Sequence, residues 1–328
     1  MPRILIVDNK VRLRTRSTDF VFDLFAGDEV TVVYDATWKS VIEQTNPDLI
    51  VIWQGLPDLK DIPLLRRHNV VLIPMYDQCR ETPGHIWAEF FGFKFVCFSR
   101  ELHKRLSGYG LWSHSCTFFP EPSLSRKKNS ELSCLFWQRQ TKPDLETLAM
   151  VLSDVPKLKL YFRSDLSSES IPGPSTHIDH IDIEQFSWEA GRETYLDLVR
   201  KCDLYFASRY YEGIGLSFLE AMASGACVIA ANRPTMNEYI IDGVNGYLYD
   251  PDDPRPINLA RIAAIQANLE NYVVESRRRY EDSVPMLKTF MFASSSWRKV
   301  SLRALFWSML YSPIIAARRL AWAVRKLS

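Results

Sequence analysis

The sequence predicts an α/β protein made of two doubly wound parallel sheets that face each other across a cleft. Three observations lead to this prediction. Two series of short, β-rich apolar runs alternate with helix-length segments, as in sheets covered on both faces. A stiff stretch at 119–122 and a polar one at 123–130 divide the two series. The chain of 328 residues, 47% of them hydrophobic, is long enough to bury two cores.

The first series predicts a domain over residues 1–122. Its expected strands are Arg3–Val7, Val30–Tyr34, Leu49–Trp53, Val70–Pro74 and Lys94–Phe98. The first run is too short for the apolar region of a signal peptide and is followed at once by charge. We therefore interpret it as a buried strand.

The second series predicts a domain over residues 123–285, followed by a helical tail over 286–328. The expected strands are Leu132–Trp137, Leu158–Phe162, Asp203–Ala207, Ala226–Ala231 and Tyr247–Asp250, with a closing helix around Leu259–Arg279. Ligands of such sheets bind at the carboxyl ends of the strands. The cleft between the domains is therefore the expected active site.

The cysteines bear on the cellular compartment. The chain has six of them, without any C-x-x-C spacing, and several fall inside apolar strand patterns, as Cys97 and Cys134 do. Buried, reduced thiols are the expected state, which favours the cytoplasm.

Two glutamates in the block from Ser208 to Pro254 carry most of the functional information. Glu212 lies on a glycine turn after an expected strand, and Glu220 follows with seven residues between them. Glu220 then lies about two turns into the next helix, so both carboxylates are expected near one helix N-terminus. A carboxylate repels phosphate, so these two side chains are expected to accept hydrogen bonds from hydroxyl groups.

The turn between the glutamates has the features of a phosphate site. Gly213 and Gly215 permit a tight turn and a close approach to a ligand. A helix starting near Leu216 leaves the amides of residues 214–217 unpaired at the positive end of its dipole, which attracts phosphate. A phosphate flanked by hydroxyls is the chemistry of a nucleotide sugar. Alone, such glycines also commonly do no more than end a strand.

Here the block closely resembles the nucleotide-binding half of retaining GT-B glycosyltransferases, the large family that includes sucrose, glycogen and lipopolysaccharide glycosyltransferases. The matching positions are Glu212, Gly213, Gly215, Leu216, Glu220, Ala221, Met222, Ala223, Gly225, Val228, Glu238, Asp242, Gly243, Asn245 and Gly246. The resemblance implies a GT-B fold of two Rossmann-like domains. It also implies sugar transfer with retention from a nucleotide diphosphate sugar, without a metal or another cofactor.

The resemblance also implies roles for individual residues. Glu212 is expected to contact hydroxyls of the donor sugar, and Glu220 the ribose. The backbone amides expected to contact the phosphates belong to Gly213, Ile214, Gly215, Leu216 and Ser217. Neither glutamate is thereby identified as a nucleophile.

A basic loop follows the first expected strand of the second domain. Arg139 and Lys142 could reach a diphosphate from the side opposite the glycine turn, and a guanidinium suits bidentate phosphate contact. Relatives have a Gly-Arg pair and then a lysine in the equivalent loop. This chain has Gln138 in place of the glycine and a shorter gap between the two cations. The alternative is two solvated cations at a helix start.

The histidines give weaker signals. His85 is a candidate contact for the transferred sugar, because relatives often have such a histidine in the first domain, although a surface histidine is the simpler interpretation. His177 and His180 lack a third ligand at a telling spacing, so no metal site is expected.

The tail is the second informative region. Eight cations and no acidic residue follow Asp282, whereas the formal net charge of the whole chain is +1. The uncharged run Ala304–Ala317 has fourteen residues, short of the ~20 that span a bilayer, and contains Pro313. Basic, aromatic-rich segments of this kind lie on anionic membranes, so residues 297–328 are predicted to contact one. The alternative is a C-terminal helix that packs on the first domain.

Together these features predict a glycosyltransferase of cell-surface polysaccharide or lipopolysaccharide synthesis, peripheral at the cytoplasmic face of a membrane. Its expected partners are a nucleotide-sugar donor and a glycan acceptor, with a lipid-linked glycan favoured, and no nucleic acid. One alternative is a catalytically silent GT-B protein that serves as a membrane-associated assembly partner. Another is a related GT-B enzyme such as a sugar-nucleotide epimerase.

Overall fold

The chain forms two compact units. The computed structural model describes residues 1–34, 37–123, 131–166, 180–186, 191–294 and 310. Unit 1 comprises Met1–Thr117 and the segment that starts at Asp282, and unit 2 comprises Phe118–Glu281. The sequence-based domain ends at 122 and 285 differ from these limits by a few residues and stay predictions.

Unit 1 contains a six-stranded parallel sheet. Its strands are β1 (Arg3–Val7), β2 (Glu29–Val33), β3 (Leu49–Trp53), β4 (Val70–Ile73), β5 (Lys94–Cys97) and β6 (Trp112–Ser115). They lie in the order β2-β1-β3-β4-β5-β6, and every adjacent pair is parallel. All residues of β3, β4 and β5 are buried, as expected for strands that are covered on both faces.

Short helices connect these strands. They are α1 (Val11–Thr15), α2 (Asp19–Asp23), α3 (Trp38–Thr45), α4 (Ile62–Leu65), α5 (Tyr76–Cys79), α6 (Gly84–Ala88) and α7 (Arg100–Gly108). Helix α7 begins after Ser99, whose hydroxyl accepts a hydrogen bond from the amide of Leu102. Its buried residues, Leu102 and Leu106, are four positions apart and therefore lie on one face of the helix.

Unit 2 contains a second six-stranded parallel sheet. Its strands are β7 (Ser133–Gln138), β8 (Leu158–Ser164), β9 (Ile181–Gln185), β10 (Leu204–Phe206), β11 (Cys227–Ala231) and β12 (Gly246–Tyr249). Their order is β12-β11-β10-β7-β8-β9. The chain builds β7 to β9 outward in one direction and then β10 to β12 in the other. The point where the order reverses therefore lies between β7 and β10, and this is where sheets of this topology bind ligands.

The helices of unit 2 are α8 (Leu145–Val151), α9 (Gly191–Lys201), α10 (Leu216–Ala223), α11 (Met236–Tyr239) and α12 (Ile262–Phe292). Helix α12 begins in unit 2 and ends in unit 1. It is longer than the predicted closing helix and passes through Pro285, which removes one backbone hydrogen bond. Leu287 and Met291 are buried beyond the proline, and this burial offsets the loss.

The fold class predicted from the sequence is confirmed, and each of the ten expected strands has a counterpart. Two further strands, β6 and β9, were not predicted. Each lies at the edge of its sheet, and their residues are mostly half-buried or exposed. Edge strands with such polar sequences lack the continuous apolar run on which the prediction depended.

Most of the predicted membrane-contacting segment, residues 297–328, lies outside the described residues, so that prediction stays open. Within the described residues, no helix has both the length and the apolar character needed to cross a bilayer. The six cysteines are all buried and free of disulfides. Burial raises the pKa of the Cys79 and Cys116 thiols to about 12, so both are protonated at neutral pH.

Candidate active site

Arg139 stands directly after β7, at one side of the reversal point of the unit 2 sheet. The centre of its guanidinium lies 4.9 Å from the centroid of the Trp137 ring. Among the residues that the structure describes, it forms neither an ion pair nor a hydrogen bond. Stacking on an aromatic ring orients a guanidinium and leaves its N–H donors available. Arg139 can therefore offer those donors to an anion, and its contact to a diphosphate stays a prediction.

The glycine turn stands at the other side of the reversal point, after β10. Gly215 has a φ of 81°, in the left-handed region, and is the N-cap of α10. A Cβ atom at this position would lie 1.9 Å from the ring of Phe218. Both the backbone conformation and the packing therefore require glycine here.

Helix α10 begins at Leu216, the predicted position. Its first helical hydrogen bond runs from the amide of Leu219 to the carbonyl of Gly215, at 3.0 Å. The amides of Leu216, Ser217 and Phe218 precede that bond, so they have no acceptor in the helix. Amides without a helical acceptor, at the positive end of a helix dipole, are suited to binding an anion.

The turn that carries Glu212 is fixed by a residue that the sequence analysis missed. Thr235, which has no exposed surface, donates through its hydroxyl to the carbonyl of Glu212 at 2.7 Å and approaches that of Gly213 at 3.4 Å. The Glu212 side chain is half-buried. Thr235 follows β11, the strand beside β10, so the carboxyl edge of the sheet brings the two loops together. The only feature of the sequence that could have indicated a role for Thr235 is its position after a predicted strand.

Glu220 forms an ion pair that the sequence analysis also missed. Nη2 of Arg192 on α9 lies 2.5 Å from Oε1 of Glu220 on α10. The two side chains are 28% and 15% exposed. Burial raises the pKa of Glu220, and the charge and hydrogen bond of Arg192 act in the opposite direction. The two residues are 28 positions apart, a separation at which sequence spacing gives no indication of contact.

Two buried tyrosines connect these groups. The hydroxyl of Tyr195 on α9 donates to that of Tyr205 on β10 at 3.5 Å, and Ser217 of α10 hydrogen-bonds to Tyr205 as well. Burial raises the pKa of both phenols, so both are neutral at physiological pH. Arg139 acts electrostatically on both.

The charges of the two glutamates also raise the pKa values of the same phenols. Glu212 acts on Tyr205, and Glu220 acts on Tyr195. Arg139, Glu212 and Glu220 are therefore all within electrostatic range of this pair of tyrosines.

Lys142 has a local partner. Its ammonium lies 2.7 Å from Oδ2 of Asp144 and 3.6 Å from Oε2 of Glu146. Asp144 is also the N-cap of α8, where its Oδ1 accepts a hydrogen bond from the amide of Thr147 at 2.9 Å. A ligand would have to compete with this fixed carboxylate for Lys142. Its predicted contact to a diphosphate stays a prediction.

The predicted contact of His85 to the transferred sugar stays a prediction. His85 lies on α6 of unit 1 and is half-buried, whereas the other candidate residues lie in unit 2. His177 is outside the described residues. In the part of the chain that is described, no three His, Cys, Asp or Glu side chains are grouped as metal ligands would be.

The segment with both glutamates matches a known family. Residues 181–282 match the family model described as "Glycosyl transferases group 1". An uncharacterized glycosyltransferase of Methanocaldococcus jannaschii, MJ1069, is 28% identical over 115 residues. That match covers 35% of this chain and 27% of the archaeal protein, so it spans about a quarter of the relative's length.

Solved structures resemble the whole fold. Anabaena HepE in complex with UDP and glucose has a TM-score of 0.58 at 16% identity, covering 87% of this chain and 100% of that one. The lipopolysaccharide outer core galactosyltransferase WaaB has a TM-score of 0.58 at 10% identity, covering 88% and 100%. Sucrose-phosphate synthase of Thermosynechococcus elongatus has a TM-score of 0.56 at 15% identity, covering 97% and 100%. The chain has the GT-B fold, as predicted.

Proposed function

We propose that this chain is a retaining glycosyltransferase that takes a sugar from a nucleotide diphosphate sugar, without a metal ion or another cofactor. Glu212 contacts hydroxyls of the donor sugar, and Glu220 contacts the ribose. The amides from Gly213 to Ser217 bind the phosphates. Arg139, assisted by Lys142, binds the diphosphate as it leaves.

The observation that carries this proposal is the set of polar groups on the two sides of the reversal point. One side offers a stacked guanidinium without an acidic partner among the described residues, and the other offers three unpaired amides at a helix N-terminus. Both complement a diphosphate. Such fixed dipoles and charges stabilise the negative charge that develops on a leaving group, and this is commonly the largest contribution to catalysis. The carboxylates of Glu212 and Glu220 flank that position and accept hydroxyl hydrogens.

The relatives support the same assignment. The family match includes both glutamates, the archaeal relative is named a glycosyltransferase, and the HepE structure is described as a complex with UDP and glucose. WaaB is described as a lipopolysaccharide outer core galactosyltransferase. This supports a cell-surface glycan, and a lipid-linked one in particular, as the acceptor.

The cationic tail supports a location at the inner face of a membrane. Each Lys or Arg near an anionic surface contributes about 1 kcal/mol, and salt screens the attraction. Vesicle flotation tests this part. The wild type should float with anionic vesicles at low salt, and replacing Arg318, Arg319, Arg325 and Lys326 with Gln should weaken flotation without unfolding the protein. A folded wild type that stays in solution with anionic vesicles contradicts the membrane assignment.

A thermal-shift screen against UDP-, GDP-, ADP- and dTDP-sugars tests the donor assignment, since a ligand that binds only the folded state raises the melting temperature. The stabilising donor is then incubated with the protein, with and without acceptor glycans, and the anomeric configuration of the product is read by NMR. Transfer with retention supports the proposal. Binding without turnover points to a silent protein, conversion to another sugar nucleotide points to an epimerase, and no binding at all contradicts the donor site.

A further inference from the structure

Arg192 occupies an unusual position for a cation. It is the second residue of α9, at the helix end where the dipole is positive. A positive side chain in the first turn is disfavoured there, whereas acidic side chains are favoured. Glu193, the next residue, is acidic and exposed. The helix therefore gains nothing from the charge of Arg192, and the reason for its position lies in what it contacts.

Arg192 pairs with the carboxylate of Glu220, which is largely buried. Arg192 donates from Nη2 to Oε1, at 2.5 Å. Within the described part of the chain, the second oxygen of that carboxylate, Oε2, accepts no hydrogen bond. A buried ion pair commonly contributes less stability than apolar side chains of the same volume. Because Arg192 binds Oε1 and fixes the carboxylate in place, Oε2 stays available to accept a hydrogen bond from a ligand.

The surroundings make the charge of Glu220 depend on Arg192. Burial raises the pKa of the carboxyl, and Arg192 is the group that opposes this effect. The other titratable group that faces Glu220 from α9 is Tyr195, a phenol that is neutral at physiological pH and whose pKa the glutamate helps to raise. Arg139, after β7, also acts on that tyrosine. Without Arg192, protonation of Glu220 would extend to higher pH.

We propose that Arg192 is a positioning residue that keeps Glu220 ionised and turns Oε2 toward the vicinal hydroxyls of the donor's ribose, so that the site selects ribonucleoside diphosphates over 2′-deoxyribonucleoside diphosphates. This rests on the proposed donor site. An ionised carboxylate only accepts hydrogen bonds, and a ribose supplies two hydroxyl donors side by side. A protonated or misdirected carboxyl loses that recognition. Arginine suits the task because its guanidinium stays charged and its geometry is fixed.

The test is calorimetry with the nucleoside diphosphate that the wild type binds and with its 2′-deoxy analogue. The wild type should prefer the ribonucleotide by about tenfold or more, the value of one hydrogen bond to a charged group. Arg192→Met should remove most of that preference by weakening the ribonucleotide alone, and Arg192→Lys should restore part of it. The matched control is Arg200→Met on the same helix, where Arg200 pairs with Asp197 at 2.7 Å. Its preference should equal that of the wild type.

The pH profile gives a readout that loss of packing would not move. The preference for the ribonucleotide should fall as pH decreases, because Glu220 becomes protonated. This fall should occur at higher pH in Arg192→Lys than in the wild type, because a shorter, strongly hydrated ammonium stabilises the ionised carboxylate less than the guanidinium does. If Arg192→Met does not fold, Arg192→Lys and Glu220→Gln decide: both should reduce the preference.

Three results would overturn the inference. Equal weakening of both nucleotides by Arg192→Met identifies a phosphate contact or a general support of the fold. If neither Arg192 variant changes the preference for the ribonucleotide, Arg192 has no part in recognising the ribose, while the proposed donor site stands. A wild type that binds no nucleoside diphosphate removes the donor site itself, and with it this inference.

Discussion

The two sheets have the same parallel architecture, but the points where their strand orders reverse are equipped differently. In unit 1 the reversal lies between β1 and β3, and in unit 2 between β7 and β10. At the first, side chains that could meet a ligand are bonded to one another. At the second, several are open. The comparison teaches that the fold provides two candidate positions and the side chains decide which one takes a charged ligand.

At the reversal point of unit 1, the charged side chains are paired with one another. Asp8, at the end of β1, accepts hydrogen bonds from Arg12 at 2.8 Å and from Thr18 at 2.7 Å. Arg12 also donates through Nε to Oε1 of Gln54, which follows β3, at 2.8 Å. The side chains of Asp8 and Arg12 are 1% and 16% exposed. This network joins the two strand ends and leaves little charge for an anion.

The reversal point of unit 2 has the opposite character. Arg139 is held by a ring rather than by an acid, and the first amides of α10 have no helical acceptor. Glu220 has one oxygen tied to Arg192, and its other oxygen has no partner among the described residues. These groups make the reversal point of unit 2 the candidate site.

The largest effect is expected at Glu212. Glu212→Gln keeps the shape but removes the charge, and two hydrogen bonds to a charged group are worth about 1.5 to 3 kcal/mol each. Sugar transfer should fall by about 100-fold or more, with an unchanged melting temperature. The measurement is the steady-state transfer rate. Turnover near that of the wild type would remove Glu212 from the donor site.

A paired substitution tests the comparison itself. Arg139→Ala should weaken binding of the free nucleoside diphosphate by about tenfold or more and leave the nucleoside almost unaffected, since the lost contact is to phosphate. Arg12→Ala should instead leave nucleotide affinity unchanged and lower stability by about 1 to 3 kcal/mol, because Asp8 loses its cation.

Calorimetry measures the nucleotide affinity of both variants, and denaturant unfolding measures their stability. Lys142→Ala should have a smaller effect on affinity than Arg139→Ala, because Asp144 competes for the ammonium. Equal losses for nucleoside and nucleoside diphosphate in Arg139→Ala, or a loss of affinity in Arg12→Ala, would contradict the contrast between the two reversal points.

A moderate effect is expected at Thr235. Thr235→Val removes the hydroxyl that holds the carbonyl of Glu212 and should lower the turnover number by about three- to tenfold, the value of one neutral hydrogen bond. Affinity for the nucleoside diphosphate should change little, because the phosphate-binding amides are untouched. Thr235→Ser keeps the hydroxyl and should stay close to the wild type. If Ser and Val behave alike, the hydroxyl has no part in positioning the turn.

The smallest effect is expected from chelation. If cations and helix amides alone hold the diphosphate, EDTA should leave the transfer rate within the error of the assay. Inhibition that added magnesium or manganese reverses would show that a bridging metal is needed, and the proposed role of Arg139 would have to be shared with it.

Much of the fold could be predicted from the sequence because its central strands are apolar throughout. A run such as Leu49–Trp53 is buried at every position, and such runs reveal themselves without knowledge of the partner strands. The edge strands β6 and β9 lack this pattern. The length of α12 depended on burial after Pro285, a tertiary effect that local sequence does not encode.

The site could be predicted where its residues are close in sequence. Glu212, Gly215 and Glu220 share one turn and one helix, so their spacing indicates their geometry. Thr235 and Arg192 lie outside that segment. The fold brings them to it, Thr235 from the loop after β11 and Arg192 from α9. Their roles follow from strand order and packing, which the sequence does not specify residue by residue.

Hydrogen exchange with and without the nucleoside diphosphate that the protein binds is the most direct test of the central claim. In the free protein the amides of Leu216, Ser217 and Phe218 lack helical acceptors and should exchange quickly. Binding should slow exchange across residues 213–219, because phosphate oxygens accept hydrogen bonds from these amides. Protection confined to residues 9–15 of unit 1, with none at 213–219, would place the nucleotide at the other reversal point and contradict the account.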